Sequence, residues 1–392
     1  MTAPTLAPPV RIARAAVFAV FGLNGFLSAM WVVHIPVVTE RTGVSNATLG
    51  MLILLMAGGA IIGMQAAGPL ADRFGSRALV AAAASWLALA VIGPGFATGP
   101  VALAFALVAY GFGNGAVDVS MNAQAVQVER AYGRPIMGAF HALFSCGGLV
   151  GSLAGAAALH SGWDIRLTFV VTAIGGLLTV AVSAPRFLSH VKARSEVPAA
   201  VDASPRTPRA HVSRKVFALA AIAFALLMTE GVANDWSALQ LREHLGASEA
   251  TAALAFGAFS TTMTIGRFGA DRVSGRFGAV AVVRWGALLG AAGLTLIITS
   301  AWVPLTLLGW ALLGLGLAGG IPQIFSAAGN LGTATAATDM SRVFSLGYLG
   351  FLAGPSVIGW LSKPTSLTVA LIFPLIAVLL CAWFAKIVDT RS

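Results

Sequence analysis

Twelve apolar runs, each close to the length that crosses a bilayer, divide this 392-residue chain and exclude most folds open to a sequence of its size. A hydrocarbon core about 30 Å thick takes roughly 20 residues of helix at 1.5 Å rise. The runs fall at 13–38, 47–71, 78–97, 101–127, 136–159, 166–187, 215–241, 250–270, 279–300, 302–329, 342–362 and 365–388, with short polar breaks between them. Composition agrees, since 58% hydrophobic residues against 10% charged, with a mean hydropathy of +0.87, is far from the balance of a soluble domain. The expectation is an all-α polytopic membrane protein with twelve transmembrane helices.

A net charge of +10 suggests nucleic acid until the basic residues are placed. With both termini inside, 20 of the 24 Lys and Arg fall on the cytoplasmic side, and Arg41, Arg166, Arg242 and Lys363 fall outside. That asymmetry is the positive-inside rule, so the charge sets topology, with no nucleic-acid partner expected. Arg11 and Arg14 precede a run long enough to span, and no small-residue cleavage site follows, so a cleaved signal peptide is not expected. Cys146 and Cys381 both lie in apolar runs and match neither a disulfide framework nor a metal site.

The widest polar break, SHVKARSEVPAAVDASPRTPRAHVSRK, lacks apolar periodicity and reads as a flexible linker. On either side of it the chain repeats at an offset of 203 residues. GVSNAT at 43–48 meets GASEAT at 246–251, Arg73-Phe74-Gly75 meets Arg276-Phe277-Gly278, Gly111 and Gly113 meet Gly314 and Gly316, and Gly151 meets Gly354. Two copies in the same orientation need an even number of spans per copy, which six supplies. The domains expected are an N-terminal six-helix bundle over 1–187, a cytoplasmic linker over 188–214 and a C-terminal six-helix bundle over 215–392. Two facing parallel repeats enclose a cavity, the geometry of an alternating-access transporter.

GPLADRFGSR at 68–77 resembles the loop signature of the major facilitator superfamily, roughly G-x-L-A-D-R-x-G-R-R, with Ser76 the one departure. The twelve spans, the repeat, the long central break and GYLGFLAGPSVIGW at 347–360 extend the resemblance over the whole chain. Within that superfamily, GFGNGAVDVSMN at 111–122 resembles the fourth span of fucose-permease-like sugar:proton symporters, where G-x-G is followed by a membrane acid and an Asn four residues on. TEGVANDWSAL at 229–239 resembles the seventh span of the YbjJ-like branch of bacterial inner-membrane proteins. Two departures bear on mechanism. Leu107 and Gly151-Ser152 stand where many family antiporters carry an Arg and a Gly-Pro pair, and Val32 stands four residues before Pro36 where fucose permeases carry an Asp.

The loop signature has a physical reading of its own. Gly68 lets helices approach, Gly75 belongs to the same signature, and Asp72, Arg73 and Arg77 can form a charge cluster at the membrane edge. An acid there can also face the positive N-terminal end of another helix. The resemblance implies that this cluster latches the two bundles on the cytoplasmic side. In the second copy Gly275 occupies the Asp position, so a latch there would use Asp271 with Arg267, Arg272 or Arg276.

Of the 14 acidic residues, Asp118, Glu230 and Asp235 fall inside spans. An Asp at a helix centre costs roughly 2.5 to 3.5 kcal/mol on insertion, which folding alone does not require. Gly111, Asn114, Gly115, Asp118 and Asn122 follow steps of three and four, forming one stripe of small and polar residues expected to line the cavity. Removal from water favours a neutral carboxyl, which suits Asp118 to exchange a proton; a hydrogen bond to a neighbouring helix is the structural alternative. Glu230, beside Gly231, and Asp235, beside Trp236, are further proton-coupling candidates, and Asn24, Asn114, Asn122, Asn234 and Gln323 are candidate substrate contacts. His34 and His141 are not spaced as a metal pair, and GFGNGA follows no strand, so helix packing explains both better than a metal or a dinucleotide.

No nucleophile, base and orienting group converge, so no enzyme activity and no cofactor are expected. The function expected is proton-coupled secondary transport of a small polar solute, sugar-like or a related metabolite, by a monomer in a bacterial inner membrane. An exporter or a non-transporting sensor on the same fold are the alternatives.

Overall fold

A computed structural model describes residues 8–189, 214–332 and 335–389, which are helical with no β-strand among them. The first half comprises α1 (Pro8–Thr42), α2 (Asn46–Phe74), α3 (Ser76–Ala90) continued by α4 (Ile92–Phe96), α5 (Pro100–Tyr132), α6 (Met137–His160) and α7 (Ile165–Ser183). The second comprises α8 (Arg214–Leu245), α9 (Glu249–Phe277), α10 (Ala279–Thr299), α11 (Val303–Leu317) continued by α12 (Gly320–Gly329), α13 (Ala336–Leu361), and α14 (Leu367–Ala370) leading into α15 (Ile372–Trp383). All but the ends of the expected 188–214 linker lie outside the described residues.

Ten helical segments among the described residues are long and apolar enough to cross a membrane, where the sequence suggested twelve. The other two differ for identifiable reasons. The Leu367–Trp383 segment is apolar but short, and α9, at 29 residues, carries Arg267, Asp271, Arg272 and Arg276 in its C-terminal part. Apolar side chains such as Phe105, Leu178, Phe217 and Trp285 are exposed along the bundle, as lipid contact requires.

The repeat in the sequence is a repeat of helix ends. Ser45 caps α2 by accepting from the backbone N–H of Thr48 at 3.2 Å, and Ser248 caps α9 by accepting from that of Thr251 at 3.3 Å. The matched Arg-Phe-Gly triplets close those same helices. Gly75 and Gly278 sit at φ 86° and 85°, a conformation that L side chains rarely adopt, and each turns the chain directly into the next helix.

Packing repeats as well. In the first half α1 packs on α6, α2 on α5, and α3 on α5 and α7; in the second α8 packs on α13, α9 on α11, and α10 on α11 and α15. The matched glycines mark these seams. A Cβ on Gly111 would lie 2.0 Å from the Met56 carbonyl oxygen, and one on Gly314 would lie 2.1 Å from that of Phe259, so both seams are backbone against backbone. Between halves, α2 packs on α13 and α6 on α9. We call the end where α1 begins and α15 finishes the near end and the opposite one the far end.

Candidate functional site

Two of the carboxylates singled out in the sequence help hold the near end shut across the halves. Asp72, in the last turn of α2, accepts backbone N–H bonds from Ala337 and Thr338 at 3.0 Å each and the Thr338 hydroxyl at 2.6 Å. Asp271, near the end of α9, accepts from the backbone N–H groups of Gly138 at 2.7 Å and Ala139 at 2.6 Å. Each acid therefore satisfies otherwise unbonded donors at the start of a helix in the opposite half, where the helix dipole favours negative charge.

This differs from a charge cluster. Arg73 lies over the Phe74 ring at 5.0 Å, Arg77 donates to Ser189 Oγ and the Pro185 carbonyl at 3.2 Å each, and Arg272 is exposed. Helix starts outcompete these arginines because several fixed donors converge on one carboxylate, whereas each guanidinium has a flexible stem and access to water. Gly68 lies within this seal, as a Cβ there would meet Ser341 Oγ at 2.6 Å and Thr338 Cα at 2.8 Å.

The sequence reading missed a further seal. Glu129 and Arg130 end α5; Glu129 accepts from the backbone N–H groups of Ile136 and Met137 at 2.9 Å each and from the Ser326 hydroxyl on α12. Arg130 donates to the Gly329 carbonyl and to Asn330, at the end of α12. An acid-base pair in the last turn of the fourth span was the available signal, but nothing local identifies α12 as its target.

Deeper in the bundle, Asp118 on α5 is partly buried and its carboxyl accepts from Asn122 Nδ2 at 3.3 Å, with no ion pair among the described residues. Tyr348 of α13 lies within its electrostatic reach. The stripe that carries it is divided between two tasks. Gly111 and Gly115 seat α2, with a Cβ on Gly115 only 2.0 Å from the Ala60 carbonyl, so those glycines serve packing and do not line a cavity. The Oδ1 atoms of Asn24, Asn114 and Asn122 are buried without a partner, and Asn24 Nδ2 approaches Met121 Sδ at 4.0 Å.

On the other side of the interface a cavity of about 530 Å³ lies between α6 on one half and α8 and α9 on the other. Glu230, Asn234 and Arg267 line it, and Arg267 bonds Glu230 Oε1 at 3.4 Å while donating to Ser145 Oγ on α6 at 2.7 Å. Arg267 is thus the partner of Glu230 and not of Asp271 one turn further on. Asp235 is exposed, and Trp236 donates to the Pro355 carbonyl at 3.0 Å. Gln323 lies apart from both groups, accepting from Ser274 at 2.8 Å, just as Gln124 accepts from Ser76 at 2.6 Å in the first half. A roomier hollow of about 780 Å³ between α1, α6 and α7 has no charged residue in its lining. His34 contacts the Met30 carbonyl through Nδ1 at 2.7 Å and packs on Phe169, whereas His141 is wedged between Phe21 and Phe325.

A halved helical bundle sealed at one end, with buried polar groups above the seal, has counterparts among known proteins. The chain is 31% identical to an uncharacterized MFS-type transporter of Yersinia pestis over 92% of its length and 91% of that protein. It is also 31% identical to membrane protein MosC of Rhizobium meliloti over 93% of its length and 88% of that protein. The crystal structure of the transporter FucP in an outward conformation superposes with a TM-score of 0.77 at 16% identity, covering 97% of this chain and 99% of that one. The human organic anion transporter MFSD10 superposes with a TM-score of 0.76 at 17% identity, covering 97% and 100%. A family model described as Major Facilitator Superfamily matches residues 16–234. Sequence, packing and relatives thus converge, and the chain belongs to the Major Facilitator Superfamily of membrane transporters.

Proposed function

We propose that this transporter moves a small polar solute, sugar-like or a related metabolite, together with protons by alternating access. The observation that carries the reading is the combination of a seal at the near end and a polar cavity immediately beyond it, each built from both halves. Residues 1–187 and 215–392 are the moving units, and the Asp72 and Asp271 contacts must break for the near end to open. With basic residues concentrated at that end, it faces the cytoplasm of a bacterial inner membrane, both termini included. The protein works as a monomer.

Asp118 is the proton-coupling carboxyl in this reading. Inside a span it accepts one side-chain bond, from Asn122, and has no cation paired with it among the described residues, so its charge is poorly compensated. Asn24, Asn114 and Asn122, with unpartnered buried amide oxygens, and Asn234 in the cavity lining are the candidate solute contacts. Fold-sharing symporters for fucose and for xylose lend support to proton coupling.

The test begins with a thermal-stabilisation screen of purified protein, since binding to the folded state raises its apparent stability. In proteoliposomes Asp118→Asn then abolishes accumulation driven by a pH gradient while exchange of solute across the membrane continues. Should Asp118→Asn still concentrate solute while Glu230→Gln does not, coupling belongs to α8 and the assignment to Asp118 is wrong.

A further inference from the structure

We propose that Arg267 is the anion-holding residue of the cavity between α6, α8 and α9, and that the solute it takes carries a single carboxylate, as a sugar acid or hydroxy acid does. The inference rests on the transporter reading and narrows its substrate.

A guanidinium has five N–H donors in a fixed fork that matches a carboxylate best when two bonds form at about 2.7 to 2.9 Å. Arg267 is far from that arrangement. One nitrogen reaches Ser145 Oγ at 2.7 Å, another reaches a single Glu230 oxygen at 3.4 Å, and Nε is buried with no partner at all. The two side chains are 15% and 17% exposed and both line the cavity of about 530 Å³. Glu230 therefore offsets the charge of Arg267 without filling its fork. Around the pair, Asn234, Ser260 and Thr264 supply the amide and hydroxyl groups that would bond the hydroxyls of such a solute.

Charge balance selects a monoanion. The cavity lining contains one cation and one anion, so a solute carboxylate that takes the fork leaves Glu230 unpaired in a membrane-buried site. An unpaired buried charge is strongly unfavourable, and a proton from water on Glu230 removes it. That proton compensates the charge of the cavity locally, and the coupling of accumulation stays with Asp118. A neutral polyol would need no guanidinium, and a dicarboxylate would leave a surplus charge. The other titratable groups near the pair are His141 and Cys146 on α6 and Asp271 one turn along α9, whereas Asp235, five residues along α8, is turned about 140° from Glu230 and is exposed. Of these, Asp271 is already engaged by the start of α6. Because Arg267 also bonds Ser145 on the opposite half, an arriving carboxylate competes with a contact that holds the halves together.

The test uses the purified full chain with D-gluconate and L-lactate as probes, each beside a neutral counterpart, sorbitol and lactamide, with affinity read by calorimetry and thermal shift. We expect at least one carboxylate to bind about tenfold more tightly than its neutral counterpart, a 1.4 kcal/mol difference. Arg267→Gln should lose about tenfold in that affinity. Glu230→Gln should gain about threefold or more, and its affinity should no longer fall as the pH is raised, an outcome that a merely structural ion pair would not give. The double variant Glu230→Gln with Arg267→Gln replaces the pair by neutral groups of the same size and reports on folding; it should be folded and fail to discriminate carboxylates. Neither carboxylate surpassing its neutral counterpart, unchanged affinity in Arg267→Gln, or weakened affinity in Glu230→Gln would each overturn the proposal. Proton-driven uptake of sorbitol that is indifferent to Arg267 would sink this inference and leave the transport reading intact, whereas carboxylate binding without any transport would do the reverse.

Discussion

Asp72 and Thr338, 266 positions apart in the chain, meet at the near end through two bonds to one carboxylate oxygen, from the Thr338 amide at 3.0 Å and from its hydroxyl at 2.6 Å. The contact joins the last turn of α2 to the first turn of α13. Asp271 repeats the device on α6 with no hydroxyl, so the two seals share a principle and differ in strength.

Asp72→Asn keeps the side-chain shape and removes the charge. Bonds to charged groups contribute about 1.5–3 kcal/mol against about 0.5–1.5 for neutral ones. The expected loss of about 1–2 kcal/mol lowers the population sealed at the near end by roughly fivefold to thirtyfold. Distances between spin labels across the near end should lengthen and transport should fall, with solute affinity largely retained because the residue lies outside the cavity. Equal losses of binding and transport would contradict the gate assignment.

Gly68→Ala places a methyl 2.6 Å from Ser341 Oγ and 2.8 Å from Thr338 Cα, so the halves must part for it to fit. The variant should raise the reactivity of cysteines introduced at the near end and slow transport, and Ser341→Gly should restore part of both. Gly50→Ala on the same helix is the control, since a Cβ there meets nothing within 4 Å. An unchanged near-end reactivity in Gly68→Ala would refute the close approach.

Arg130→Gln removes a cation from the end of α12, where it donates to the Gly329 carbonyl. A cation at a helix C-terminus contributes about 0.3–1 kcal/mol at an exposed position, so the sealed population should fall by about twofold to fivefold. The effect should shrink in high salt, which screens an exposed charge. A deficit of the same size at all ionic strengths would point to steric causes instead.

Breaking the chain between positions 194 and 209 should leave halves that associate when coexpressed and still transport, because α2 with α13 and α6 with α9 provide an interface that needs no covalent link. Copurification of the two pieces checks it. Pieces that fold singly and never associate would argue against two units of six spans.

What could be foreseen from the residues was whatever depends on a few neighbours. Ser45 and Ser248 announce helix starts, and Gly75 and Gly278 announce turns, because capping and positive φ are decided within four residues. Asp118, Glu230 and Asp235 stand out because a charge in an apolar run is costly wherever it points, and Asp271 stands out through its place in the second copy of the repeat. Their partners were not legible. Whether Asp271 faces an arginine on its own helix or the start of α6 depends on how the halves meet, and the local sequence does not encode that. The stripe on α5 shows the same limit. Periodicity groups Gly111 and Gly115 with Asp118, and only the seating of α2 separates packing positions from chemical ones. In α9 two of the four charges that lower its hydropathy, Arg267 and Asp271, line the cavity and seal the near end respectively, so functional residues weakened the signal for the span that carries them.

Gly111 against the Met56 carbonyl and Gly314 against that of Phe259 leave no layer of side chains between the paired helices. Sliding along such a joint would drive one peptide backbone into the next, and there are no rotamers to absorb the displacement. Each half is therefore stiff across these joints, like a pair of boards glued face to face, and slack is confined to the surface where the halves meet. A change of access must then be a tilt of one stiff body against the other. A bulky side chain introduced at either glycine would wedge a joint apart within one half, altering the shape of a lever while leaving every seal residue in place.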